Sequence, residues 1–173
     1  MKGFCISFLL VLIIIVTAAA CVVDTGSNVH TEYLRIHIRA DSNEREAQAV
    51  KYKVKDAVVE FLTPYIAECD TKIKAEKTIT SLLKEISAVA DSVLKREGFD
   101  YTATAKINTE NFPTRSYGNF TLDEGYYDAL IIELGSGKGD NWWCVVYPPL
   151  CFTGSGTGYV YKSKILEIIR KFT

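Results

Sequence analysis

The chain has 173 residues, 24% of them charged, and a net charge of -1. That balance excludes the basic excess of a nucleic-acid-binding protein, and the length leaves one domain once the apolar N-terminal stretch is set aside. Val, Ile, Leu and Tyr are spread through the remainder, which excludes a disordered chain.

Residues 1–21 read as a leader. Lys2 supplies a short positive region, Phe4 to Val16 is apolar apart from Ser7, and Thr17-Ala18-Ala19-Ala20 offers the small residues a signal peptidase reads. Three outcomes stay open: cleavage after Ala20, lipidation at Cys21, and retention as an uncleaved membrane anchor. Each carries the domain across a membrane. Residues 22–32 read as a tether, because Asp24 to His30 is polar and bears Gly, Ser and Asn.

From Tyr33 to Ala40 the pattern alternates strictly, which predicts a strand. Leu34, Ile36 and Ile38 form its buried face, and Arg35, His37 and Arg39 its open face. Asp41-Ser42-Asn43 then offers an N-cap to a helix with Ala47, Val50, Val54, Ala57, Val58, Phe61 and Leu62 on one stripe. Lys51, Lys53 and Lys55 fall largely off that stripe, and Pro64 is expected to end or bend the helix. A second helix is predicted from about Thr71 to a C-cap at Gly98.

Tyr101 to Ile107 predicts another strand, and Asn108 to Tyr117 a turn-rich stretch stiffened by Phe112-Pro113. Phe120 to Leu122 with Asp123-Glu124-Gly125 reads as a strand and hairpin turn. Ala129 to Leu134 is a strongly apolar, central strand, and Gly135 to Asn141 a mobile glycine-rich hairpin connection to a strand over Trp142 to Tyr147. Residues 153–158 form a Gly/Ser linker, and 159–173 an amphipathic C-terminal helix with Ile165, Leu166, Ile168 and Ile169 on its apolar side. The fold class is therefore α+β: an antiparallel sheet packed against a helical hairpin, in a single domain over 33–152.

Candidate chemistry is sparse. Gly135-Ser136-Gly137-Lys138-Gly139 fails as a P-loop, because a glycine follows the lysine and the next element is a strand. Cys144 or His37 is the candidate for a hydrolytic function, as thiol nucleophile or base, but no local feature lowers a thiol pKa. No metal-ligand spacing is present. Cys144 and Cys151 are a candidate disulfide in an exported domain. Trp142 and Trp143 must point to opposite faces of their strand: either one fills the core while the other, on the open face or under a loop, anchors a partner, or both are covered by the C-terminal segment. Arg115 sits in a stiff loop with Tyr117, ready for a carboxylate on a partner or in its own domain.

Four stretches bring the chain close to a known family. They are Leu34-Arg35-Ile36-His37-Ile38-Arg39-Ala40-Asp41-Ser42, the run from Gln48 to Leu62, Asn111-Phe112-Pro113-Thr114-Arg115-Ser116-Tyr117-Gly118, and the long segment from Gly137-Lys138-Gly139-Asp140-Asn141-Trp142-Trp143-Cys144 to Phe152. On these the chain resembles the stage II sporulation protein R family. The family often has Asn-Ser-Asp where this chain has Asp41-Ser42-Asn43, a swap that keeps the helix-cap chemistry.

The resemblance implies a signal rather than an enzyme. It implies synthesis in the forespore, export into the space between the two sporulation membranes, and activation of a membrane-embedded aspartic protease of the mother cell. That protease processes the sigma factor E precursor. The implied partners are that protease and the membrane, with no nucleic acid and no cofactor. The candidate contact residues are Arg35, His37, Arg39, Arg115, Tyr117, Trp142 and Trp143. The competing class is an exported hydrolase.

Overall fold

The computed structural model describes residues 29–117 and 120–152; the leader, most of the tether, the Gly/Ser linker and the C-terminal helix expected from the sequence lie outside them. The order is strand β1 (Val29–Arg39), helices α1 (Arg45–Ala67), α2 (Lys72–Ser81) and α3 (Leu83–Arg96), strands β2 (Ala103–Phe112), β3 (Arg115–Tyr117), β4 (Phe120–Leu122), β5 (Gly125–Leu134) and β6 (Asn141–Tyr147), and a short 3-10 turn (Leu150–Phe152). β1 begins four residues inside the stretch read as tether.

The α+β class holds, but the large sheet is mixed rather than antiparallel. Its order is β2-β5-β1-β6, with β5 parallel to β1 and the other pairs antiparallel. β2 returns antiparallel to β1 after the helices, β5 reverses again, and β5 rather than β2 takes the place beside β1. Burial explains the choice. Ala129 to Ile132 are buried and apolar on both faces, which suits an interior strand. β2 carries Lys106, Asn108 and Glu110 and suits an edge.

The helices cover one face of this sheet. Leu34, Ile36 and Ile38 of β1 meet Leu130, Ile132 and Leu134 of β5 and Val54, Val58 and Leu62 of α1 in the main core. Two helices were expected after β1, and three are present. The break at Leu82 follows Thr80 and Ser81, whose hydroxyls bond the carbonyls of Glu76 and Thr78 at 2.7 Å each and compete with the helical ladder. Gly98 caps α3 as expected: its φ is 82°, and the amides of Gly98 and Phe99 reach the carbonyls of Lys95 and Leu94 at 3.1 and 3.0 Å. Pro64 sits inside α1, which runs on to Ala67.

The glycine loop is not a mobile hairpin connection. β1 lies between β5 and β6, so the 135–140 loop must straddle the chain leaving β1. Of Asp41, Ser42 and Asn43, expected to cap α1, Asp41 and Asn43 hold that loop instead. Asp41 Oδ1 accepts from the Ser136 amide at 2.6 Å, and Asn43 Oδ1 from the Asp140 amide at 2.6 Å. The Gly139 amide donates to the Ala40 carbonyl at 2.8 Å. Lys51, expected off the apolar stripe, is buried beneath, donating to the Asp140 carbonyl at 2.9 Å and Gln48 Oε1 at 2.6 Å. The crossing is tight, since a Cβ on Gly139 would stand 2.2 Å from the Ser42 carbonyl oxygen.

This geometry sets a stability order. Gly139→Ala should lower unfolding stability by about 3 kcal/mol, because rigid backbone opposes the new methyl. Gly98→Ala, with nothing within 4 Å of the new atom, should lose only about 1–2 kcal/mol from its positive φ. Urea unfolding of the full chain in non-ionic detergent checks the ranking, and equal losses would contradict the tight crossing.

Candidate functional site

Strand alternation places Arg35, His37 and Arg39 on the sheet face away from the helices. That face was expected to be open. At Arg35 and His37 it is closed: they are 0% and 5% exposed. The cover comes from the stretch read as turns. β2 runs through to Phe112, paired with Gly125, and its far end curls with β5 and the β3–β4 hairpin over the face. Without that curl Phe112 could not reach His37, whose cross-strand neighbour is Ile131, six residues along β5 from Gly125 and about 20 Å away in a flat strand.

Arg35 lies among aromatic rings. Its guanidinium carbon is 4.3 Å from the Phe112 centroid, 4.8 Å from Tyr127 and 6.0 Å from Tyr117. Nη2 donates to the Tyr117 hydroxyl at 2.8 Å, while Nε and Nη1 are buried with no hydrogen-bond partner among the described residues. Burial pulls the Arg35 pKa below its ordinary value, and nearby Arg115 adds to this against the opposing Tyr117 and Tyr127. The group stays protonated even so. Burial in turn raises the Tyr117 pKa, and Arg35 opposes that rise.

His37 and Arg39 share an acid that the sequence reading missed. His37 Nδ1 is 3.1 Å from Glu110 Oε2, and Arg39 Nη2 donates to the same oxygen at 2.7 Å. Arg39 Nη1 donates to Glu133 at 2.6 Å, and Lys106 to the other Glu133 oxygen at 3.0 Å. Lys106, with Arg39 adding, holds the Glu133 carboxyl below its ordinary pKa. Burial lowers the His37 pKa; Glu110 and Asn141 oppose it, Asn141 without reaching hydrogen-bond geometry at the buried Nε2. The signal for Glu110 was present: Lys106, Asn108, Glu110 and Phe112 keep period two, so a strand carried past Ile107 puts all four on one face.

Trp142 and Trp143 take opposite faces, as alternation requires. Trp142 packs against the helix-side core with Lys55 5.8 Å from its ring. Trp143 stacks on His37, with centroids 5.4 Å apart and planes at 29°. Above it the exposed Arg115 guanidinium lies 4.5 Å from the indole. So Arg35, His37, Arg39, Arg115, Tyr117 and Trp143 converge on one face, and Trp142 does not.

The geometry disposes of the thiol–imidazole couple. Cys144 is opposite Ile36 on the helix side, His37 is on the other face, and Cys144 is joined to Cys151 in a disulfide with Cα atoms 6.2 Å apart. Among the described residues no group of three or more His, Cys, Asp or Glu is arranged to hold a metal ion, and no helix is long and apolar enough to cross a membrane.

The family model for stage II sporulation protein R matches residues 30–157. The chain belongs to the stage II sporulation protein R family. It is 35% identical over 131 residues to Stage II sporulation protein R of Bacillus subtilis (strain 168), a match covering 76% of this chain and 58% of that protein. The chain thus spans 58% of the length of the curated relative it matches. No solved structure matches it. The stretches that carry the family resemblance are β1, most of α1, the chain entering and forming β3, and the straddling loop with β6 and the turn bearing Cys151. Three of them build or cover the polar face, and membership in the family ties this domain to sporulation.

A pH dependence follows from His37. Its folded pKa is depressed, so below the unfolded value near 6.5 the unfolded chain binds a proton that the folded chain refuses. Stability should therefore fall as pH drops below about 6.5, by at most about 1.4 kcal/mol per pH unit for one group. His37→Phe should remove this slope between pH ~6.5 and ~5 while the steeper loss at lower pH persists, as Glu133 and Asp128, both depressed, take up protons. Urea midpoints across pH check it.

Proposed function

We propose that this chain is an intercellular signal of endospore formation. It is made in the forespore and exported by its apolar N-terminal stretch into the space between the two sporulation membranes. There it activates a membrane-embedded aspartic protease of the mother cell, which then cleaves the sigma factor E precursor. The observation that carries the reading is the family match over residues 30–157, which takes in nearly the whole domain.

The polar face supports a ligand in preference to a catalyst. The imidazole is buried and held between Glu110, Phe112 and Trp143, and the thiol nearest to it in sequence register is oxidised on the far face. The Arg115 guanidinium on its indole reaches solvent, a group suited to docking. The leader supports export, since Lys2, the apolar run from Phe4 to Val16 and the small residues to Ala20 have the arrangement of a targeting segment.

Co-expression with the protease and the sigma precursor in a non-sporulating host tests this. Cleavage should require the chain, and removal of residues 1–21 should reduce it at least ten-fold (about the 1.4 kcal/mol equivalent of one decade). Full cleavage without the chain, or with the leaderless chain held in the cytoplasm, would sink the proposal.

A further inference from the structure

Among the described residues, the polar face holds two guanidinium groups without an acid. Arg39 and Lys106 are matched by Glu110 and Glu133, two cations to two carboxylates, in one closed network. Arg35 and Arg115 stand outside it. Arg115 adds to the electrostatic cost of burying Arg35, and among the described residues no carboxylate offsets it. Among the described residues Arg115 donates to the Thr114 carbonyl alone, at the long distance of 3.5 Å. Arg35 is fully buried with two N–H-bearing nitrogens unpartnered among the described residues. Buried unneutralised charge is costly, and natural sites compensate it.

Tyr117 connects the two. It is two residues from Arg115 on β3, so both side chains leave the same face of that strand, about 6.6 Å apart along it. Its hydroxyl accepts from Arg35 Nη2 at 2.8 Å and so keeps its own proton to donate. The positive charge behind it strengthens that donor.

We infer that Arg115, stacked on Trp143, and the Tyr117 hydroxyl, polarised by buried Arg35, form a binding site for one carboxylate side chain of a partner protein. The inference rests on the signalling reading, and there it assigns the contact to an acidic residue of the protease's outer segment. The chemistry favours a protein carboxylate over a lipid. A single flat, exposed guanidinium held on an indole suits bidentate recognition of a carboxylate. Membrane headgroups are held by clusters of several exposed Lys and Arg, and among the described residues this face exposes Arg115 as its unpaired cation.

The test uses the full chain in non-ionic detergent with four probes: a capped Gly-Glu-Gly-Glu-Gly peptide, its Gln counterpart, sodium acetate, and phosphatidylglycerol vesicles. Tryptophan fluorescence and the side-chain Nε resonances of Arg35 and Arg115 report binding. The Glu peptide should bind saturably and move both resonances. Arg115→Gln should weaken it at least about ten-fold, Tyr117→Phe about three-fold or more, and Arg115→Lys should restore part of the loss. Arg115 is exposed, so unchanged urea midpoints in its variants separate binding loss from misfolding; Tyr117→Phe also takes the acceptor from buried Arg35 and should lower the midpoint, so its binding is compared only on chain whose native near-ultraviolet circular dichroism is intact. Equal binding of Glu and Gln peptides, or full binding by Arg115→Gln, overturns the site. Binding of acetate alone, or of vesicles alone, assigns it to a free anion or a lipid and overturns it equally. In the co-expression host, cleavage that needs the chain yet is unchanged in both variants sinks this inference and leaves the signalling reading intact. Cleavage indifferent to the chain sinks that reading instead, and the peptide arm then judges the site alone.

Discussion

Arg35 sets the terms for one whole face of the sheet. Its guanidinium is fully buried and cannot shed its charge, so moving it from water costs several kcal/mol that neighbouring groups must offset. Phe112 and Tyr127 present ring faces to it, and each such desolvated contact returns about 2 kcal/mol. Tyr117 accepts one of its hydrogen bonds. These rings come from β2, β5 and β3, so satisfying Arg35 requires β2 and β5 to curl and the β3–β4 hairpin to fold down. The cover over the face gains its stability from the apolar cluster of Phe112, Leu122, Tyr127, Ile131 and Val145, and its aromatic rings are placed so that the charge of Arg35 is tolerated within it.

Next to it the same face solves a different electrostatic problem by pairing. Arg39 bridges Glu110 and Glu133, Lys106 closes the second carboxylate, and Glu110 also orients His37. These groups satisfy one another and leave little for a ligand. The contrast with Arg35 and Arg115 turns a general impression of a basic face into a specific one. Of the three arginines expected at the contact, Arg35 is buried and Arg39 is paired with Glu110 and Glu133, while Arg115 on β3 is exposed.

On the other side of β1, the crossing at its C-terminal end fixes the register of the central strands. The 135–140 loop passes over the Ala40–Asn43 chain at backbone contact distance, and side chains from 41 and 43 bond its amides. The Cys144–Cys151 bond and the Tyr147 hydroxyl, which donates to the Asp70 carbonyl at 2.6 Å, then hold the chain after β6 near the helices. A domain held at both ends of β1 presents β3 and Trp143 on a rigid support, the condition for pre-organised recognition.

Sequence periodicity alone determined that β1 is a strand with an aliphatic face, that α1 carries its stripe on Val50, Val54, Val58 and Leu62, that Gly98 ends the helical region, and that the two tryptophans part company. Each follows from a local geometric period that neighbours in the chain cannot alter. The family was also legible, because its long Trp142-Trp143-Cys144 stretch is compositionally unusual. Only the tertiary structure decided that β5 lies parallel to β1, that Asp41 and Asn43 hold a loop instead of a helix end, that Glu110 belongs with His37 and Arg39, and that Arg35 is buried while Arg115 is exposed. Those outcomes depend on which distant segment occupies a given space. Alternation tells which way a side chain points and says nothing about what comes to meet it.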